Sequence, residues 1–219
     1  HYCKRSMNLS TFIYLVLIYS IPYFWYIRFS TSPKKGFSIL FICLISTVLL
    51  INLNLLVFAG IIILLTTLLH QNEKLSNITF FVSFIILIYE AYSKLGENLI
   101  GTFLPIALVS GIFSLMMIGH WFLVDPTITR IGMKNIARSS MLIAGLLSLM
   151  IITGLISLEI STLYKNIIIG LYISSLVLSL GSLKSLNETS YTGVMAATGL
   201  SYLSLLVSLG GTGTLILLP

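Results

Sequence analysis

The sequence predicts an all-α fold, a polytopic integral membrane helix bundle of about eight transmembrane helices, with seven as the alternative. Three observations carry this. Only 8% of the 219 residues are charged while 57% are hydrophobic, whereas soluble proteins are about one-quarter charged. Apolar runs recur about every 30 residues from Thr11 to Leu218, each bounded by a few polar residues, which is the rhythm of bilayer-spanning helices rather than the weak alternation of a membrane β-barrel. The connections between runs reach no more than about ten residues, so the expected organisation is one transmembrane domain over 1–219 without a soluble domain. The mean hydropathy of +1.06 agrees.

In chain order the expected spans are 10–28, 37–52, 54–70, 76–95, 98–124, 134–158, 163–183 and 190–218. The first ends in "PYFWYIRF", bulky where a cleavable signal would need small residues, so it stays as a span. Pro22 is expected to kink it, and Trp25 is expected at the headgroup level, where indoles settle. The segment 37–70 is the debatable one: as a single helix at 1.5 Å per residue it would run about 51 Å against a hydrocarbon core of about 30 Å. Asn52 and Asn54 in "INLN" supply side chains that can satisfy backbone groups freed by a turn, so two short helices in a hairpin are preferred.

Charge asymmetry favours the same choice. With eight spans, Arg28, Lys34, Lys35, Lys74, Arg130, Lys134, Arg138 and Lys184 fall on one side and Lys4, Arg5, Lys94 and Lys165 on the other. With seven, the split is seven against five, a weaker positive-inside signal. The side carrying eight basic residues is therefore expected to be cytoplasmic, with both termini opposite. These short basic connections also explain the formal charge of +6 as lipid-headgroup and topology signals. The partners expected are the lipid bilayer and other membrane subunits, with no nucleic acid.

The fourth span carries Glu90, the only acid expected near membrane depth, with Lys94 four residues on in the favourable order for pairing. The fifth is long, contains Pro105, and ends in "GHWFLVDPTITR". There Trp121 reads as an interfacial anchor, Asp125 as a cap for the next helix, Pro126 as a first helical residue, and Arg130, Lys134 and Arg138 as a basic stripe spaced by four. In the seventh, Gly170 and Ser174 repeat a small-xxx-small spacing. In the eighth, Gly193, Ala197, Ser201, Ser204 and Ser208 share a helical face, which allows close helix approach. "GGTG" at 210–213 either breaks the last helix into a re-entrant piece or simply frays its end.

Few residues carry chemistry. There is no phosphate loop, GxSxG elbow, HExxH or metal-spaced carboxylate cluster in the sequence, so an enzyme acting on a water-soluble substrate is not expected. His70 and His120 close the third and fifth spans on the same expected side; two such imidazoles can ligate haem, and one can hydrogen-bond a quinone carbonyl. No haem-attachment motif accompanies them. The leading expectation is a non-catalytic membrane-embedded subunit or accessory protein of a larger complex, without a cofactor. The alternatives are a small-solute transporter or channel, with Asn52, Asn54 and Glu90 as its polar pathway, and a haem- or quinone-binding electron-transfer subunit built on His70 and His120.

Overall fold

The computed structural model describes residues 7–31, 35–52, 54–69, 73–95, 99–156 and 162–217. Among them are eight helices and no strand: α1 (Leu9–Ser30), α2 (Lys35–Ile51), α3 (Leu55–Leu69), α4 (Glu73–Leu95), α5 (Leu99–Val124), α6 (Arg130–Ile152), α7 (Thr162–Ser185) and α8 (Tyr191–Leu217). The protein is a helical membrane bundle. Six of the helices, all but α2 and α3, are long and apolar enough to cross a membrane.

The chain folds back within 37–70. Helix α2 ends at Ile51, the Asn52 amide donates to the Val48 carbonyl (3.2 Å), and the Asn54 amide donates to the Asn52 carbonyl (3.1 Å). Asn54 then accepts the first α3 bond, from the Phe58 amide (2.9 Å). The start of α2 lies beside the end of α5, where a methyl at Gly36 would lie 2.7 Å from the Trp121 ring. Its end lies beside the start of α1 and the end of α4. The hairpin therefore leaves from and returns to the side on which the basic residues gather, here called the basic side.

Packing divides the molecule into two parts. Helix α8 packs on α7 and α5, α6 on α5 and α7, and α1 on α5, forming a tight bundle; α4 packs mainly on α3 and touches α1 and α5 only sparingly. Small residues close the bundle. At the α1–α5 contact the Ser110 hydroxyl is shared between the Val16 carbonyl across the interface (2.9 Å) and the Ile106 carbonyl of its own helix (2.8 Å). Between α7 and α8, Tyr172 and Thr212 hydroxyls meet at 3.2 Å, Ser175 and Ser204 at 3.1 Å, and Ser182 Oγ donates to the Ala197 carbonyl (3.3 Å). Gly119 of α5 lies directly against Thr198 of α8. The wing formed by α2–α4 is joined by rings instead: Trp25 stacks on Phe80 (4.4 Å, 4°), and Phe24 on Phe37 and Phe41 (6.0 and 6.1 Å).

Two expectations are corrected here. Helix α6 ends at Ile152 rather than 158 because Gly154 adopts φ +77, a left-handed conformation that glycine enters without steric cost, and its amide donates to the Ile151 carbonyl (3.3 Å). Helix α8 runs unbroken through 210–213 to Leu217, neither re-entrant nor frayed there. Its glycines serve packing: a methyl at Gly211 would already touch Leu171 and Tyr172 of α7 at 3.4–3.5 Å.

Candidate functional site

Where the wing meets the bundle, a laterally open cavity of about 500 Å³ lies between the helices. Its walls are Tyr19, Pro22, Tyr23 and Tyr26 from α1, Phe84 and Ile88 from α4, Phe103 and Ala107 from α5, and Asn135, Ile136 and Ser139 from α6. Pro22 cannot donate to the Ile18 carbonyl, which removes one helix bond beside the space. Tyr19 meets Phe103 edge-on at 5.2 Å. The cavity is lined mainly by aromatic and aliphatic groups. Phe84 and Ile88 of α4 and Phe103 and Ala107 near the start of α5 make its hydrocarbon wall. Toward the basic side Asn135 Nδ2 donates to Tyr26 Oη (2.8 Å), and Asn135 Oδ1 accepts from Arg138 Nη1 (3.3 Å), which lies outside the lining. This is the size and lining of a small-molecule site, apolar with a few placed polar groups.

A second polar cluster sits at the hairpin tip, on the opposite side. Asn54 Nδ2 donates to Glu90 Oε1 (3.0 Å), and Lys94 Nζ lies 3.6 Å from the same oxygen and 5.8 Å from the centre of the Tyr14 ring. Glu90 is 7% exposed. Burying a carboxylate is tolerable when it is paired and hydrogen-bonded, and here the amide and ammonium do both. Glu90 therefore ties α4 to the turn that starts α3, an effect reinforced by Ser83 Oγ donating to the Gly60 carbonyl (2.7 Å). Asn52 is on the other flank of the turn, beside Tyr14 and Lys94 around a pocket of about 140 Å³. The structure thus brings Asn52, Asn54 and Glu90 to one place.

The remaining expected residues are dispersed. His120 is exposed and takes no part in the cavity; His70 lies outside the described residues. Among the described residues no three of His, Cys, Asp and Glu gather to hold a metal ion. Trp25 is 8% exposed and stacked on Phe80, so it packs α1 to α4 instead of facing headgroups. Trp121 is half-buried against Gly36, joining α5 to α2. Asp125 does not cap the next helix: its Oδ1 accepts from the Thr127 amide (3.2 Å) and hydroxyl (2.7 Å), closing a turn, and α6 begins only after Thr129. Arg130 leaves the expected basic stripe, donating to the Glu188 carbonyl and lying 5.5 Å from the Phe122 ring, so it clamps the α7–α8 connection to α5. Lys134 is half-buried and Arg138 exposed on α6. Gly193, Ala197, Ser201, Ser204 and Ser208 are all buried on one face of α8. A methyl at Gly193 would stand 2.5 Å from the Ser185 carbonyl oxygen.

Apart from Pro22, expected only as a kink, the cavity residues were not singled out by sequence. Tyr23, Tyr26, Asn135 and Ser139 come from helices more than 100 residues apart in the chain, and tyrosine and asparagine near span ends are ordinary interface residues. The one signal was Asn135 and Ser139 spaced by four beside Arg138, a polar face deeper into α6 than a helix end requires.

Fold and site together define a multi-helix membrane bundle with a ligand-sized lateral cavity. No family model, no curated protein and no solved structure matches the chain.

Proposed function

We propose that the chain is a non-catalytic, multi-pass membrane protein that works by binding: an accessory subunit of a larger membrane complex that holds an amphipathic, lipid-phase molecule in the cavity between α4 and α1, α5 and α6. The observation that carries this reading is the cavity itself, about 500 Å³, lined mainly by apolar groups with Tyr26 and Asn135 toward the basic side, where Arg138 hydrogen-bonds Asn135 from outside the lining. A ligand entering sideways from the bilayer would bury its tail against Phe84, Ile88 and Phe103 and leave its head beside the polar string. Burial of a drug-sized molecule in a space of this size is the usual basis of small-molecule affinity.

The experiment is purification in mild detergent, solvent extraction and mass spectrometry of what the protein retains. The wild type is expected to retain an amphiphile in near-stoichiometric amount, and Ala107→Trp, which fills the cavity from α5, is expected to lose it while keeping its helical content. A wild type that emerges empty, or an Ala107→Trp variant that retains as much, ends the binding reading. The subunit reading is tested separately by gentle affinity capture from native membranes, in which discrete membrane partners should accompany the chain at fixed ratio.

A second reading, a small-solute transporter or channel, is favoured by the convergence of Asn52, Asn54, Glu90 and Lys94 at the hairpin tip. It requires that the protein alone, in liposomes, move a solute, and that Glu90→Gln stop it.

A further inference from the structure

The lateral cavity is elongated along the helices. On α1 it extends from Tyr26 back to Tyr19, about 10 Å at 1.5 Å per residue, away from the basic side. Phe103, near the start of α5, and Ile88, in the later half of α4, lie toward its far end. Among the described residues no charged side chain lines it. At its basic end, however, Arg138 stands exposed on α6, about 12 Å along the helix from its first residue, Arg130. Ile131 and Leu142, on the same helical face, are 69% and 66% exposed, so this face looks out to the bilayer. Arg138 Nη1 donates to Asn135 Oδ1, three residues nearer the basic side, which turns the guanidinium back toward the headgroups. No carboxylate among the described residues pairs with it; Glu90 is engaged by Asn54 and Lys94 on the opposite side. A guanidinium on a lipid-facing surface with most of its donors unused is costly until an anion meets it.

We infer, resting on the binding reading above, that the molecule held in the cavity is an anionic phospholipid, with its phosphate on Arg138 and one hydrocarbon chain running down the cavity. The planar fork of a guanidinium matches two phosphate oxygens at once, and charge-assisted bonds of this kind are the stronger ones. A phosphate at the basic end sits at headgroup level, and a chain hanging from it toward the bilayer middle follows the direction of the cavity from Tyr26 to Tyr19. Net charge selects the head. An anionic head neutralises Arg138, whereas a zwitterionic one brings its own cation beside the guanidinium. A free phosphate ion would meet the same guanidinium but gain nothing from the apolar walls, so the phosphate must carry a chain.

The test uses the full chain exchanged into mixed micelles of phosphatidylglycerol and phosphatidylcholine in equal amount, with the lipid retained after purification counted by native mass spectrometry. The wild type should hold one phosphatidylglycerol per chain, enriched about tenfold over phosphatidylcholine, as a charge-assisted bond supplies. Arg138→Gln, which keeps an N–H donor and loses the charge, should bring the retained lipid to the ratio in the micelle. Lys184→Gln, which removes an exposed basic charge in the last turn of α7, away from the cavity, should leave the enrichment unchanged. Equal loss in Lys184→Gln would mean diffuse attraction to the basic side and overturns the site, as do an unenriched wild type and displacement of the lipid by an equimolar amount of inorganic phosphate. Should Arg138→Gln fail to fold, Arg138→Lys decides: it keeps the charge without the fork, so the enrichment should fall severalfold, and an unchanged enrichment refutes the site. A wild type that retains a phosphate-free amphiphile from native membranes overturns the ligand class while the cavity stays a binding site; one that retains nothing removes both.

Discussion

The α7–α8 seam and the contact of α4 with the bundle join apolar helices of the same chain, yet they differ in the size of the residues that meet. The seam is rich in small residues, with Ser175 and Ser204 hydroxyls 3.1 Å apart, Ser182 donating to the Ala197 carbonyl, and Tyr172 meeting Thr212 at 3.2 Å. The wing is joined by Trp25 on Phe80 and leaves a space of about 500 Å³ beside it. In a bilayer, lipid tails are as apolar as leucine, so hydrophobicity does not press helices together; close backbone approach and interhelical hydrogen bonds do. Small residues permit that approach. At the wing, large rings span the contact instead, beside the open space.

The largest expected effect bears on whether there is a wing of this shape at all. With Cys3→Ser and Cys43→Ser as background, Ser32→Cys and Asn72→Cys should both react with an impermeant thiol reagent from the same side, the basic side, because the 37–70 segment folds back at Asn52 and Asn54. Labelling from opposite sides would mean a single crossing and remove the wing from the comparison.

Next in size is the seam. Ala197 is fully buried where α8 meets α7, whereas Leu206 is 68% exposed. Ala197→Leu should cost about 1–3 kcal/mol through overpacking and sharply lower the yield of folded protein, while Leu206→Phe should change neither yield nor thermal stability. Equal behaviour of the two variants would show that the small face does not set the packing.

At the wing, Asn54→Leu removes the hydrogen bond to Glu90, and an interhelical bond of this type contributes about 0.6 kcal/mol on average. Leaving a buried carboxylate short of a partner adds to the loss, so the expectation is a modest fall in thermal stability, well below that of Ala197→Leu. A fall as large would mean that the wing is held as firmly as the bundle.

The smallest effect concerns His120, which is exposed and outside the cavity. His120→Gln should be nearly silent in stability and in amphiphile retention, and the purified protein should show no Soret band. A Soret band abolished by this change would establish the haem reading in place of the cavity.

Much of this architecture was legible because hydrophobicity and charge are written along the chain. The apolar runs located all eight helices, and Asn52 and Asn54 among leucines marked the fold-back, since polar side chains at membrane depth need a structural reason. The small face of α8 was legible from its spacing of three and four. Helix ends were less so: Gly154 stops α6 by a backbone conformation that apolar periodicity does not register, and Thr129 rather than Asp125 precedes α6. Partners across space were not legible at all. Nothing local to Trp25 announces Phe80, and nothing near Arg130 announces the Glu188 carbonyl. Tyr14 is one tyrosine among 11, and its burial beside Asn52 and Lys94 exists only because α1, α2 and α4 converge there.

The difference between seam and wing can be measured as motion, by double electron–electron resonance between spin labels on exposed positions of the cysteine-free background. Ile85 on α4 and Leu142 on α6 report on the wing and the bundle across the cavity region, while Leu180 and Leu203 report on α7 and α8; these four residues are 66%, 66%, 46% and 52% exposed. A wing held by rings around a ligand space should give a broad distance distribution for the 85–142 pair that narrows when amphiphile is bound, and a narrow, ligand-independent one for the 180–203 pair. Distributions of equal width that do not respond to amphiphile would contradict the division of the molecule into a sewn bundle and a separable wing.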